Sequence, residues 1–187
     1  MHDAPAFTAV LFGLRNCLVQ ARNGSPLPAP GALDALAGLR RRQVPCIWLD
    51  EQSVAQSKHL ASVLPQWLPG HGANGAQWPA PNACWQALMC LGSPRLEGCV
   101  LVSGEPRLLQ SGLNAGLWTV GLAACSPSCD LASSDWQAMS PHEQELARGR
   151  ATLALFDLGV HSVIDHLEAL DTCLVDIAQR RRKGEKP

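Results

Sequence analysis

The chain has 187 residues, 47% of them hydrophobic and 17% charged, with a formal net charge of −1. The length is enough for one domain with a sizeable core. The near-neutral balance provides no global field to recruit nucleic acid or a membrane surface. No apolar run reaches the roughly 18–20 residues that cross a bilayer, and residues 1–7 lack the basic n-region of a signal peptide, so the expectation is one cytoplasmic domain over residues 1–187 with no membrane contact.

Thr8–Phe12 reads as a strand. Its exit, Gly13 to Val19, is where open α/β sheets place their chemistry, yet Arg15 is its one charged side chain. Pro28–Gly31 reads as a turn and Ala32–Arg42 as a helix with Leu33, Leu36 and Leu39 on one face. Cys46–Leu49 is the next strand, and Ser53 with Gln56 fits a capping box opening a helix through about Leu64. Pro65–Pro81, rich in proline and glycine, is an irregular connection with at most one short strand. Asn82–Leu91 reads as a helix, Cys99–Val102 as a strand, Pro106–Ala115 as a helix and Trp118–Leu122 as a strand. Ser140 with Glu143, and Pro141 at the first helical position, open a helix to about Leu158. Ser162–Asp165 is a short strand, and Leu167, Leu170, Leu174 and Ile177 make the last helix amphipathic. Alternating strands and helices imply an α/β fold: a Rossmann-like three-layer α/β/α sandwich with a mainly parallel sheet.

The eight cysteines sit mostly in apolar stretches, as small core residues do. Cys125 and Cys129 form the one close polar pair, read as structural before a labile disulfide; no second ligand pair at zinc spacing accompanies them. The basic tail from Arg180 to Lys186 complements a helix C-terminus. With Arg40-Arg41-Arg42 it is also weighed as an RNA contact, which the net charge disfavours.

The C-terminal half carries a more specific signal. Ser111 to Leu122 (SGLNAGLWTVGL) resembles the segment after the acidic metal-binding motif of phosphonoacetaldehyde hydrolases, in the haloacid dehalogenase superfamily. The likeness continues through Asp135–Gln144, Gly159–Asp165 and Gly184–Pro187. It covers residues 98–187, and more loosely 6–19 and 28–97. The resemblance implies a haloacid dehalogenase-like core and self-association as a homodimer.

It also implies five catalytic parts, each of which has a place in this chain. The family's nucleophilic aspartate follows the first strand and forms a covalent aspartyl-phosphate; Gly13 stands there, followed by Leu14, Arg15, Asn16 and Cys17. A Ser or Thr after the second strand binds phosphoryl oxygens; Asp50 and Glu51 lie there and would repel a dianion. A basic residue opens the R-P-x-P segment; Trp78 holds its place. An acidic pair holds Mg²⁺, a cation needing oxygen ligands; the pair falls on Ser103 and Gly104, with Glu105 next. A helical cap inserted after the first motif carries a Schiff-base lysine; here Gln20–Leu27 runs directly into the Pro28 turn, and Lys58 is the one lysine before residue 183.

The expectation is therefore a capless, non-catalytic pseudoenzyme, with no cofactor and no catalytic or metal-binding residue, acting as a binding or regulatory protein. Gly13, Arg15, Asn16, Asp50, Glu51, Trp78, Ser103 and Glu105 should surround a vacated cleft that docks a protein or a small ligand. The alternative is a hydrolase with residual or altered activity on a phosphorylated or phosphonate substrate. Cys17 as a replacement nucleophile would need a base, and His71 is the histidine weighed for that role. Ser103 lacks a nucleophile-elbow pattern. His161 and His166 read as hydrogen-bonded or surface residues. Trp67, Trp78 and Trp85 either pack over the surface a cap would cover or form an apolar patch for a partner.

Overall fold

The computed structural model describes residues 7–22, 25–72, 77–129 and 134–187. In chain order its elements are β1 (Ala9–Gly13), β2 (Val19–Arg22), β3 (Ser25–Pro28), α1 (Ala32–Arg41), β4 (Cys46–Asp50), α2 (Val54–Ala61), β5 (Gly70–Gly72) and α3 (Asn82–Cys90). They continue with β6 (Cys99–Ser103), α4 (Pro106–Asn114), β7 (Trp118–Leu122), α5 (Ser134–Ala138), α6 (Pro141–Asp157), β8 (Ser162–Ile164) and α7 (Leu170–Arg182). Short 3-10 turns lie at Ala123–Cys125, Pro127–Cys129 and Leu167–Ala169.

Among the described residues a six-stranded sheet has the order β5-β4-β1-β6-β7-β8, and its pairings are parallel. Alternate residues of each strand face opposite layers. Val10 and Phe12 of β1 join Trp48, Val100, Val102 and Trp118 in a core with Leu36 and Leu39 of α1 and Leu174 and Ile177 of α7. Ala9 and Leu11 turn the other way, with Ile47, Leu49 and Leu101, onto Cys84, Ala87 and Leu88 of α3 and Leu108 of α4. A third cluster holds α6 by Ala151 and Leu155 against Leu109 and Ala123. This explains why the central strands read as unbroken apolar runs: both faces of the sheet are covered. The chain builds outward from β1 to β4 and β5, then crosses back to β6. The strand order thus reverses at β1 and β6, where such sheets open a crevice at their C-terminal ends.

Both capping boxes form. The Ser53 N–H donates to Gln56 Oε1 at 3.1 Å and the Gln56 N–H to Ser53 Oγ at 3.3 Å. The matching bonds at Ser140 and Glu143 are 2.8 and 3.3 Å. The principal difference from expectation lies after β1, where Gln20–Leu27 reads as a plain connection. Val19–Arg22 and Ser25–Pro28 pair instead as an antiparallel hairpin. Pro26 and Pro28 hide it, because proline removes a ladder donor and is confined to edges. The last helix also differs: a 3-10 turn takes Leu167–Ala169, and α7 continues through Arg180–Arg182. α5 has no counterpart in the sequence reading, and α2 ends at Ala61, short of Leu64.

At the far edge, His161 Nδ1 accepts the Thr119 N–H at 3.0 Å, and its ring lies 4.9 Å from that of Trp118. Arg180 covers the other side of this group, 4.9 Å from the Trp118 ring, and donates to the His161 carbonyl at 2.8 Å. Burial, then the Arg180 charge, hold the His161 imidazole below its usual pKa. The folded protein therefore keeps His161 neutral, and the unfolded chain binds the proton more readily. The stability this provides is present above about pH 6.5 and is lost as pH falls. His161→Gln is expected to flatten the decline of urea-unfolding stability between about pH 7 and pH 5. An unchanged decline would show that His161 does not titrate as this geometry requires.

Candidate functional site

The C-terminal ends of β1, β4 and β6 meet at a small cleft of about 250 Å³ lined by Arg15, Asn16, Asp50, Glu51, Gln52, Trp78 and Glu105. Six of the eight residues expected around a vacated cleft thus come together. The other two, Gly13 and Ser103, do not line it. Both are buried beneath it, for a reason visible in the packing.

A Cβ placed on Gly13 would lie 2.7 Å from Ser103 Oγ, inside contact distance. The Ser103 hydroxyl thus occupies the space a side chain at position 13 would need, and it accepts the Glu105 N–H at 3.0 Å. Position 104 is tighter. A Cβ there would meet the Cys125 carbonyl oxygen at 2.4 Å and the Asn16 carbonyl oxygen at 2.6 Å, both backbone atoms. The Gly104 N–H donates to Asn16 O at 2.8 Å. Asn16 reaches this position through a left-handed backbone, φ 55°, which asparagine tolerates better than most residues. The loops leaving β1, β6 and β7 therefore close on one another around Gly104.

Above this floor the charges pair. Arg15 Nε donates to Asp50 Oδ2 at 3.1 Å, with the carboxylate 3% exposed and the guanidinium 45%. A second Asp50 bond comes from the buried Ser57 hydroxyl at 2.6 Å. Arg15 also donates to Gln52 Oε1 at 3.0 Å. Arg107 pairs with Glu51 at 3.0 Å and donates to the Trp78 carbonyl. Glu105 caps α4 by accepting the Arg107 N–H at 3.3 Å, and its other oxygen lies 3.5 Å from Asn16 Nδ2. Gln52, Ser57 and Arg107 were not singled out from the sequence. The available signal was position: Gln52 follows Asp50-Glu51, Ser57 lies one turn into the capped helix, and Arg107 is the second residue of α4.

Mg²⁺ requires several oxygen ligands, carboxylates among them. The residues where the resemblance places its site supply glycine at 13 and 104, a serine hydroxyl committed to Glu105 N–H, and one carboxylate that caps a helix. This donor set does not fit the ion. Among the described residues no three His, Cys, Asp or Glu side chains converge elsewhere.

Cys17 is buried, donates to the Val102 carbonyl at 3.3 Å, and has its thiol pushed well above the usual range by burial. His71 is in β5 and bonds Gln86 at 3.2 Å, so it is committed elsewhere. Cys125 is a buried thiol raised by desolvation to about 11. The tryptophans divide: Trp67 packs under Arg40, Trp78 is buried, and Trp85 is 43% exposed with its indole N–H on the Ala115 carbonyl.

A parallel sheet with this crossover and a cleft at its switch point defines an open, doubly wound α/β protein, and the comparisons supply the family. The chain is 30% identical over 174 residues to a phosphonoacetaldehyde hydrolase of Klebsiella pneumoniae subsp. pneumoniae, covering 86% of this chain and 62% of that protein. It is similar to the crystal structure of a phosphonoacetaldehyde hydrolase-like protein from Oleispira antarctica, with 25% identity, a TM-score of 0.77, and 86% and 60% of the two chains covered. A further crystal structure matches at 52% identity and a TM-score of 0.89, covering 97% of this chain and 100% of the other. No protein-family model matches the chain. The chain belongs to the haloacid dehalogenase superfamily and is similar within it to phosphonoacetaldehyde hydrolases; it spans 62% of the length of the curated relatives it matches.

The pairing around Asp50 makes a stability prediction. Ser57→Ala removes a charge-assisted bond to a buried carboxylate and should cost about 1.5–3 kcal/mol by urea unfolding. Gln52→Ala removes a bond between exposed groups and should cost under about 0.5 kcal/mol. Equal costs would contradict a buried Asp50 anchored from α2.

Proposed function

We propose that this phosphonoacetaldehyde hydrolase-like protein is non-catalytic and acts by binding, as a regulatory protein whose recognition surface is the cleft at the end of β1, β4 and β6. The observation that carries the reading is the filled space at positions 13 and 104. Where the family resemblance implies a nucleophile and a metal ligand, a side chain at position 13 would have to displace the Ser103 hydroxyl, and the backbone of Asn16 and Cys125 leaves no room for one at position 104. The pairing of Arg15 with Asp50, and of Arg107 with Glu51, supports it further. A phosphoryl dianion would have to draw those arginines away from carboxylates already in contact and then sit beside them.

The β2–β3 hairpin stands where the family inserts its cap, so on this reading the cleft is reached directly from solvent. Among the described residues no helix is long and apolar enough to cross a membrane, and a cytoplasmic location accompanies the proposal.

The test is turnover. Purified protein with Mg²⁺ should release no more phosphate from phosphonoacetaldehyde, or from a generic phosphate ester, than heat-inactivated protein does. Gly13→Asp should not create activity, because the new side chain must first displace Ser103 from the Glu105 N–H. Turnover that follows the protein through purification and falls on Glu105→Gln would overturn the proposal in favour of altered hydrolysis.

A further inference from the structure

The cleft occupies the C-terminal end of the sheet. The opposite end, where the strands begin, gathers the basic residues. α1 and α7 lie on one face of the sheet, where Leu36, Leu39, Leu174 and Ile177 share a core. Both end in consecutive cations: Arg40, Arg41 and Arg42 close α1 just before β4, and Arg180 to Lys183 close α7. Arg181 lies 5.3 Å from the ring of Phe7, just before β1, and Arg180 lies over Trp118, the first residue of β7. The Arg95 carbonyl accepts the Thr8 hydroxyl at 3.2 Å, so that arginine too sits where β1 and β6 begin. The two basic runs, 138 residues apart at Arg42 and Arg180, thus meet at one end of the molecule.

Two features separate this end from an ordinary helix terminus. The first is the amount of charge. A helix C-terminus carries the equivalent of about half a negative charge, and three or more cations at each exceed what it can neutralise. The second is the supply of partners. At the cleft, Arg15 and Arg107 are both paired with carboxylates. At this end Asp171 takes Arg42 and Glu185 takes Arg180. Arg40, Arg41, Arg182 and Lys183 are exposed and have no ion pair among the described residues. Arg40 is also laid flat, 4.9 Å from the Trp67 ring, which keeps its planar fork oriented for a phosphate. The formal charge of −1 does not oppose this, because salt screens charges beyond about 8 Å and a bound anion senses the local cations.

We infer that the end of the sheet opposite the cleft binds a single-stranded nucleic acid through its phosphate backbone, with Arg40, Arg41, Arg182 and Lys183 as the contacts. Charge complementarity selects the occupant. The same turns present no large exposed apolar side chain to insert into a membrane: Leu33 and Val175 stand at least a turn back on their helices. Trp67 and Phe7 already lie against guanidinium groups, so the strand is held without reading its bases. No cleft residue takes part, so failure of this contact and failure of the cleft reading are separate outcomes.

Fluorescence anisotropy of a labelled oligouridine of about 20 nucleotides tests it. Binding should be measurable at about 50 mM salt and fall with a log–log salt slope of about −2 or steeper, since each phosphate contact on a single strand contributes about −0.7. Arg41→Glu combined with Arg182→Glu should weaken binding at least about tenfold and flatten the slope by about 1. Arg150→Glu, an exposed cation of α6, should leave it unchanged. Absence of binding at low salt, equal weakening by Arg150→Glu, or a salt slope near zero would overturn the proposal. So would tighter binding to phosphatidylserine vesicles than to the oligonucleotide, which would assign the surface to a membrane.

Discussion

The contact on which the site depends is the 2.8 Å hydrogen bond from the Gly104 N–H to the Asn16 carbonyl. It draws the loop after β6 onto the loop after β1, and the Cys125 carbonyl closes against the same glycine from the end of β7. Three loops that fan apart around a ligand in an open crevice here touch one another through backbone atoms. No side chain fits between them at position 104. The same closure presses Ser103 toward Gly13, so the floor of the cleft is packed protein. Backbone atoms hold it shut, and a change of rotamer alone does not reopen position 104.

The rim follows from the floor. The charged groups at the sheet edge pair with one another and with neighbouring polar groups. Asp50 is nearly fully buried and must be partnered, since an isolated buried carboxylate is costly. Arg15 meets that need from the loop after β1 and Ser57 from α2. Arg107 spans from Glu51 to the Trp78 carbonyl and links the ends of β4, α3 and α4. The result is a shallow polar surface with its charges largely internally neutralised. The proposal of a binding role rests on that internal pairing of charge.

Much of this was legible from local patterns. Apolar runs at Ala9–Phe12, Cys99–Val102 and Trp118–Leu122 announced buried parallel strands, and the Ser53 and Ser140 capping boxes announced their helices, because these signals act within a few residues. The grouping of Arg15, Asn16, Asp50, Glu51, Trp78 and Glu105 was also foreseeable, since all follow strand ends or open helices at one edge of the sheet. Partner choice was not. Arg15 and Asp50 lie 35 residues apart, and nothing local pairs that arginine with Asp50 or assigns Arg107 to Glu51. The hairpin was hidden by its prolines. Gly13 and Gly104 could be read as places without side chains, but only the three-dimensional packing shows the Ser103 hydroxyl beside the first and backbone closed around the second.

The most direct measurement is a crystal structure of the protein soaked with Mg²⁺ and inorganic phosphate. The account predicts no bound ion between Gly13 and Glu105, with the Gly104–Asn16 hydrogen bond and the Arg15–Asp50 pair intact. Mg²⁺ coordinated by Glu105, with phosphate beside Gly13 and the three loops parted, would contradict it.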